Sequence, residues 1–501
     1  MQENTTNRIA VNVASSVIQV IITGLVYFFV YRILVLRLGV DLLGVWSLIV
    51  ATASISNLSN LGFSSAVIKY VAEYHARGDP ERINRIINTS IISIALLFLL
   101  LGIIIYLLAY FFIDRLIDEQ YVEIAMAVLP ISLSGLFFFS SANVISSALE
   151  GFQKNYIRNF AFSITSVFYL VLAIFLIPKA GLRGLALAQV LQIIALLTIC
   201  YHYLKRTSPG FGIRRMKWDR EVFRELLRYG YKMQIITVCQ MLTDPVAKIL
   251  VGSFHGITTL GFYEMASRVI TQLRQIIAGM NQVTIPIVSH FQQIDKKNIR
   301  YIYERGLSFI IFIVFPLFAA VILFTPYLSK IWIGSVEPVF ITCTYILAAG
   351  MLINILNAQA YFNSLGEGQL NGILIMTVLV FLLNAILGIV LGMAVPVYGV
   401  VTAYAIATAL GSLFLIYYYQ RNNNIKILDI LKTSDYVIIL SALCFAFLSG
   451  SVFSNIGSRF GFNLVSFLSF LAVYSVFFIL VSYKNRNFKL LNIFQYFSKR
   501  V

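Results

Sequence analysis

The chain is 501 residues long, 59% hydrophobic and only 12% charged. Its mean hydropathy is +0.86. A water-soluble domain is excluded, because none carries so little charge over so much apolar sequence. The formal net charge of +17 raises nucleic acid as a partner, but the placement of the cations along the chain argues against it.

Apolar runs long enough to cross a bilayer, roughly 20 residues each, recur from end to end. Fourteen are read in chain order: 11–35, 43–67, 86–112, 122–148, 157–178, 182–204, 231–252, 261–287, 307–329, 339–362, 372–394, 396–419, 436–455 and 461–482. In lipid each must be a helix, since no water is present to satisfy the backbone. The expected fold is an all-α polytopic membrane protein of about fourteen transmembrane helices. Its organisation is a first lobe over 1–204, a basic linker over 205–230, a second lobe over 231–420, and two further helices with a basic tail over 421–501.

The two lobes echo each other at offsets of 216–218. Arg32-Ile33-Leu34-Val35 matches Lys248-Ile249-Leu250-Val251, which makes Arg32 and Lys248 a shared cationic pair. Gly44-Val45-Trp46 matches Gly261-Phe262-Tyr263, and Asp79 with Ile83 matches Asp295 with Ile299. Leu149, Gln153 and Asn155 match Leu365, Gln369 and Asn371; Pro178 and Gly181 match Pro396 and Gly399. Six spans per half is an even number, so both halves enter the membrane from one side. Parallel repeats, related by an axis along the membrane normal, are expected, with a substrate site at their interface.

With the N-terminus in the cytoplasm, the cytoplasmic segments carry 27 Lys and Arg and the opposite side carries 6. The positive-inside rule then places both termini in the cytoplasm, and most of the charge sets orientation. The largest basic block lies in 205–230, where Trp218, Val222, Leu226 and Tyr229 recur at helical spacing. This predicts an interfacial helix held by anionic headgroups. The polar N-terminus shows no cleavable signal. Cys200, Cys239, Cys343 and Cys444 all lie in apolar spans and read as small core residues.

There is no GxxxxGK[ST], HExxH, GxSxG or paired CxxC, and the four histidines are scattered. The chain reads as a non-enzyme that needs no cofactor or metal, and any work it does draws on a gradient. Ionisable residues within spans are costly and usually functional. Arg32 lies in span 1, Asp244 and Lys248 in span 7, and Glu264, Arg268 and Arg274 in span 8. On span 8, Glu264, Arg268, Thr271, Gln275 and Gln282 share one narrow stripe, with Arg274 and Asn281 along its edge. A transmembrane helix this amphipathic lines a water-filled cavity. Gln19 and Thr23 on span 1, and Asn57 in span 2, extend the polar lining. Arg274 has no acid at helical spacing and is the best candidate for an anion ligand, followed by Arg268, then Lys248 and Arg32. Lys248 and Arg32 alternatively snorkel to the interface. Asp244 and Glu264 either pair with Lys248 and Arg268 four residues on or form a proton- or sodium-coupling site.

Gly39-Val-Asp-Leu-Leu-Gly44-Val-Trp-Ser, the link Tyr70-Val-Ala-Glu-Tyr-His-Ala-Arg-Gly-Asp79, Gly261-Phe-Tyr-Glu-Met-Ala266 and Pro178-x-x-Gly-Leu-x-Gly184 resemble the polysaccharide transporter family of the multidrug/oligosaccharidyl-lipid/polysaccharide exporter superfamily. The resemblance covers essentially the whole chain. It implies a Wzx-type flippase with two lobes in a V and alternating access, moving undecaprenyl-pyrophosphate-linked oligosaccharide across the bacterial inner membrane. A lipid-linked oligosaccharide, anionic lipids and a glycan polymerase with its chain-length machinery are the partners it implies. Arginine suits a pyrophosphate because its planar fork meets phosphate oxygens in pairs. A cation-coupled multidrug exporter of the same superfamily is the alternative. It would need buried acids in the first lobe, where none is found.

Overall fold

The computed structural model describes residues 2–55, 63–113, 117–152, 154–208, 211–212, 217–228, 231–281 and 296–425, together with positions 284, 288, 435, 436, 438–440, 472, 475 and 476. Spans 13 and 14 lie almost wholly outside the described residues, as do Asn57, Gln282 and Cys444. Among the described residues the structure is entirely helical. In chain order the helices are α1 (Gln2–Leu38), α2 (Val40–Ser54), α3 (Phe63–Ala76), α4 (Pro80–Phe112), α5 (Glu119–Gly151), α6 (Asn155–Thr207) and α7 (Arg220–Arg228). They continue as α8 (Tyr231–Asn281), α9 (Lys296–Trp332), α10 (Pro338–Leu356), α11 (Ala358–Glu367), α12 (Leu370–Ala394) and α13 (Gly399–Asn422).

Among the described residues nine helical stretches are long and apolar enough to cross a membrane, one of them made of α10 and α11 together. Two of the nine are each a pair of helices joined through a non-helical glycine, Gly181 in α6 and Gly256 in α8. They therefore hold spans 5 and 6, and spans 7 and 8. On α4, Leu96, Leu99, Leu100, Ile103, Leu107 and Phe111 are all more than half exposed or at its edge, between 50% and 66%. A helix with that much bare apolar surface is stable only against lipid. The protein is an all-α polytopic membrane protein.

The chain forms two compact units. The first contains Asn7–Met265 and Thr377–Ala403. The second contains Ala266–Met376 and the described residues from Tyr404 onward, with the first six residues.

In the first unit, a core of Phe63, Val67, Val71, Ile86, Ile87, Ile145, Leu149 and Leu204 binds α3, α4, α5 and α6. Helix α7 is part of this core. Its Val222 and Leu226 are 0% and 2% exposed. The Trp218 indole donates to Ser93 at 3.0 Å, and the Asp219 amide to Thr89 at 3.2 Å. Arg82 and Arg85 of α4 reach Glu225 at 2.8 Å and Asp219 at 3.8 Å. Of its apolar stripe, Val222 and Leu226 are covered by protein, Trp218 is 47% exposed and Tyr229 lies outside the described residues; Arg220, Glu221 and Arg224 are exposed. Burying Val222 and Leu226 contributes about 1.5–3 kcal/mol each, well above what exposed ion pairs supply.

In the second unit, α9, α11 and α13 share a buried chain of hydrogen bonds. Gln359 donates to Asn363 at 2.9 Å, Asn363 to the Tyr419 hydroxyl at 3.1 Å, and Tyr419 to Glu367 at 2.6 Å. Gln420 donates to the Tyr303 hydroxyl at 3.1 Å, and the Tyr303 and Tyr419 rings lie 4.9 Å apart. Polar groups on transmembrane helices need such partners because lipid offers none. Cys200, Cys239 and Cys343 are free thiols.

Candidate functional site

The first unit holds a charged network deep among its helices. Lys248 and Glu264 sit on the two limbs of α8, and each lies eight residues from Gly256. With about 1.5 Å rise per residue, both are roughly 12 Å along their limbs from the turn. Gly256 has φ 81° and ψ 167°, a backbone region open essentially to glycine alone. The turn folds the limbs together, and the Lys248 ammonium meets the Glu264 carboxylate at 2.8 Å. The same ammonium meets Asp244, one turn earlier, at 2.9 Å. Tyr31 of α1 donates to Glu264 Oε1 at 2.7 Å, and Ser47 of α2 donates to Oε2 at 2.9 Å. Lys248 and Glu264 are 8% and 4% exposed, whereas the Asp244 side chain is 45% exposed. Just before Pro245, buried Asn384 of α12 donates to the Thr243 carbonyl at 3.0 Å.

The network arises at the contact between two copies of one pattern. Gly39, between α1 and α2, has φ 87° and ψ 168°, in the same region as Gly256 at 81° and 167°. The two glycines are 217 positions apart, which fixes the register of the repeat. Thr258 donates to Asp41 at 2.6 Å, and this pair is also separated by 217, as are Ser47 and Glu264. A Cβ on Gly44 would strike the Ile257 carbonyl, and one on Gly261 would strike the Val40 carbonyl. Those two contacts exchange under the same offset. In-register pairs at 41/258 and 47/264, about 9 Å apart along the helices, require α2 and the second limb of α8 to run parallel. A two-fold relating them must then lie along the helices and across the membrane, the parallel-repeat relation expected from sequence.

This register corrects one expectation. Lys248 was paired with Arg32 at offset 216, but at 217 its counterpart is Tyr31. Tyr31 and Ser47 in the first copy thus stand where Lys248 and Glu264 stand in the second, and all four meet. Nor does Lys248 snorkel: it is buried and its charge is answered by two carboxylates.

The other expected site residues fall as follows. Arg32, Arg268 and Thr271 are half-buried, and Arg274 and Gln275 are exposed. Gln19 donates to Thr23 at 3.2 Å on the same helix. Asn281 is buried and its amide donates to the Ile277 carbonyl at 2.9 Å, so it serves its own helix. Asn57 and Gln282 lie outside the described residues. Sequence reasoning brought Asp244, Lys248 and Glu264 forward and missed Tyr31 and Ser47. The signal that could have found them was the offset of 217 from the two charges. Among the described residues, no group of three or more His, Cys, Asp or Glu could hold a metal ion.

A family model described as polysaccharide biosynthesis protein matches residues 33–336, more than half of the chain. The chain belongs to that family. As a polysaccharide biosynthesis protein it has relatives of similar length. It is 24% identical over 341 residues to a Shigella flexneri protein named as a candidate O-antigen transporter, covering 66% of this chain and 75% of that protein. It is 25% identical over 388 residues to an uncharacterised membrane protein of Methanocaldococcus jannaschii, covering 72% of each. Among solved structures it is similar to the lipid II flippase MurJ in an inward closed conformation, with a TM-score of 0.71, 17% identity, and coverage of 94% of this chain and 98% of that one. It is also similar to an inward-facing multidrug transporter of the MATE family, with a TM-score of 0.66, 18% identity, and coverage of 81% and 98%. The fold is that of the transporter superfamily to which both belong, as the sequence resemblance implied.

Proposed function

We propose that this polysaccharide biosynthesis protein is a flippase. It carries a lipid-linked oligosaccharide, with undecaprenyl pyrophosphate as the lipid, from the cytoplasmic to the outer leaflet of a bacterial inner membrane by alternating access. Both termini are cytoplasmic, following the Lys and Arg asymmetry. The observation that carries the reading is Arg274. It is exposed on a helix that crosses the membrane, where a bare cation is costly unless it faces water or an anion. Arg274 binds the pyrophosphate, and Arg268, six residues earlier on the same helix, assists. Lys248 acts through its carboxylates and does not meet the substrate directly. Asp244, half-exposed at the edge of the network, is the position where a proton or sodium ion would couple. The prenyl tail stays in lipid while the head crosses in a polar, cationic cavity. A glycan polymerase with its chain-length machinery receives the product, and Arg220 and Arg224 of α7 meet anionic lipid.

The test is Arg274→Ala in a strain that depends on this chain for surface glycan. Loss of surface glycan with unchanged amounts of protein in the membrane supports the assignment. Normal surface glycan contradicts it. The multidrug alternative is favoured only by the likeness to MATE-family structures, and drug susceptibility in a strain lacking the chain separates the two readings.

A further inference from the structure

We infer that His255 is an acid-sensitive lock on the turn that joins α12 to α13. Its neutral imidazole holds the start of α13, and protonation releases a strained backbone. With the termini cytoplasmic this turn lies on the outer side, so the lock responds to acidity outside the cell. His255 and the turn belong to the first unit.

Two observations meet at the turn. Val397 has φ 65°, and the Tyr398 amide donates to the Pro396 carbonyl at 2.7 Å. A three-residue turn closed in this way around a positive φ is rare and strained, and a β-branched residue suits it least. Three residues on, the buried Val400 amide donates to Nε2 of His255 at 3.4 Å. Val400 lies in the first turn of α13, where an amide has no acceptor in its own helix, so the imidazole supplies one. Only a neutral imidazole can accept. A proton on Nε2 removes the acceptor and sets a positive charge at a helix N-terminus, where cations are disfavoured. Less then opposes the strain at Val397. The first copy lacks this device. At the offset of 217 the counterpart of His255 is Leu38, which lies against Gly181, the φ 55° glycine of the α6 turn. One copy closes its turn with an apolar contact and a glycine, the other with an imidazole and a valine. The charged neighbours are few. Positions 370–420 hold no Asp, Glu, Lys, Arg or His, so α12 and the outer turns of α13 bring only the Tyr398 hydroxyl as a titratable group at the turn. On α8 the nearest charges are Lys248 and Glu264, which pair with each other. On the turn between α1 and α2 they are Arg37 and Asp41, and Asp41 accepts from Thr258 at 2.6 Å.

The test is hydrogen exchange of the purified full chain, read by mass spectrometry as protection of the segment 394–403. It is run at pH 8 and pH 5, on either side of the ordinary histidine value of about 6.5. The neutral form holds the turn, so protection is full above that value and is lost as pH falls through it. Corrected for the intrinsic pH dependence of exchange, protection is expected to fall about tenfold at pH 5, as one hydrogen bond to a buried amide is lost. His255→Gln keeps an acceptor that does not titrate, and equal protection at both pH values is expected. His255→Leu is expected to be weakly protected at both; where it fails to fold, His255→Gln carries the test. Equal protection of the unmodified chain at the two pH values overturns the lock. So does an undiminished acid response in His255→Gln, or the same fall across α4. Val397→Gly removes the cost of the positive φ and is expected to restore most of the protection at pH 5; no restoration overturns the part assigned to strain. Exchange requires no substrate, so each outcome stands apart from the flippase reading.

Discussion

Positions 31 and 47 in the first copy and 248 and 264 in the second share one backbone geometry and carry opposite chemistry. The first pair is a tyrosine and a serine; the second is a lysine and a glutamate. The Gly39 and Gly256 turns agree in φ and ψ, so the frame was copied faithfully. Neutral donors on one side meet, on the other, a glutamate paired with a lysine that a second carboxylate also reaches. Two copies charged alike would repel, and two neutral copies would leave no strong acceptor for Tyr31 and Ser47.

The largest effect is expected at Lys248. Lys248→Met leaves Glu264 buried beside neutral donors, and losing one partner of a buried pair costs about 3–5 kcal/mol. A sharp fall in thermal stability of the purified protein is expected, with the double variant Lys248→Met/Glu264→Gln recovering most of it. A double variant as unstable as the single one would show that the charges do not depend on each other. Next is Leu226→Ala in α7, far from the repeat contact. At 2% exposure it is expected to cost about 2–5 kcal/mol. Its effect should add to that of Lys248→Met, because distant sites are independent.

Gly44→Ala probes the shared frame. The new methyl meets the Ile257 backbone, and overpacking of about 1–3 kcal/mol is expected, visible as a lower melting temperature. Gly261→Ala should match it closely if the two-fold is real, and unequal losses would count against it. An effect of similar size is expected at Tyr31→Phe. It removes one hydrogen bond to a charged acceptor, about 1.5–3 kcal/mol, while Glu264 keeps Lys248 and Ser47. A calorimetric shift as large as that of Lys248→Met would mean the tyrosine carries the network.

Much of the fold was legible because each element was long and apolar. The span pairs held in α6 and α8 were read as separate runs, and their turns at Gly181 and Gly256 fall between them. The repeat was legible too, but its register was one residue off at Arg32, because apolar tetrapeptides match easily while the φ > 0 glycines that fix the register are invisible as such. Helix α7 was recognised by its period, yet period says only that one face is apolar, not that protein covers it. Lys248 was placed near a span end, where snorkelling is ordinary; the fold-back at Gly256 brings Glu264 to it instead. Tyr31 and Ser47 carry no charge and follow no motif, so only the tertiary contact makes them part of the site.

Arg274 is proposed to hold the anionic head of a lipid-linked oligosaccharide that the chain moves. Purified protein reconstituted into vesicles, with a polyprenyl-pyrophosphate oligosaccharide in one leaflet, tests both parts. The fraction of glycan accessible to a lectin on the opposite side is followed over time. The account predicts transfer by the unmodified protein and at least a tenfold slower rate for Arg274→Ala. No transfer by the unmodified protein under an imposed ion gradient of either sign, or equal rates for the two, would contradict it.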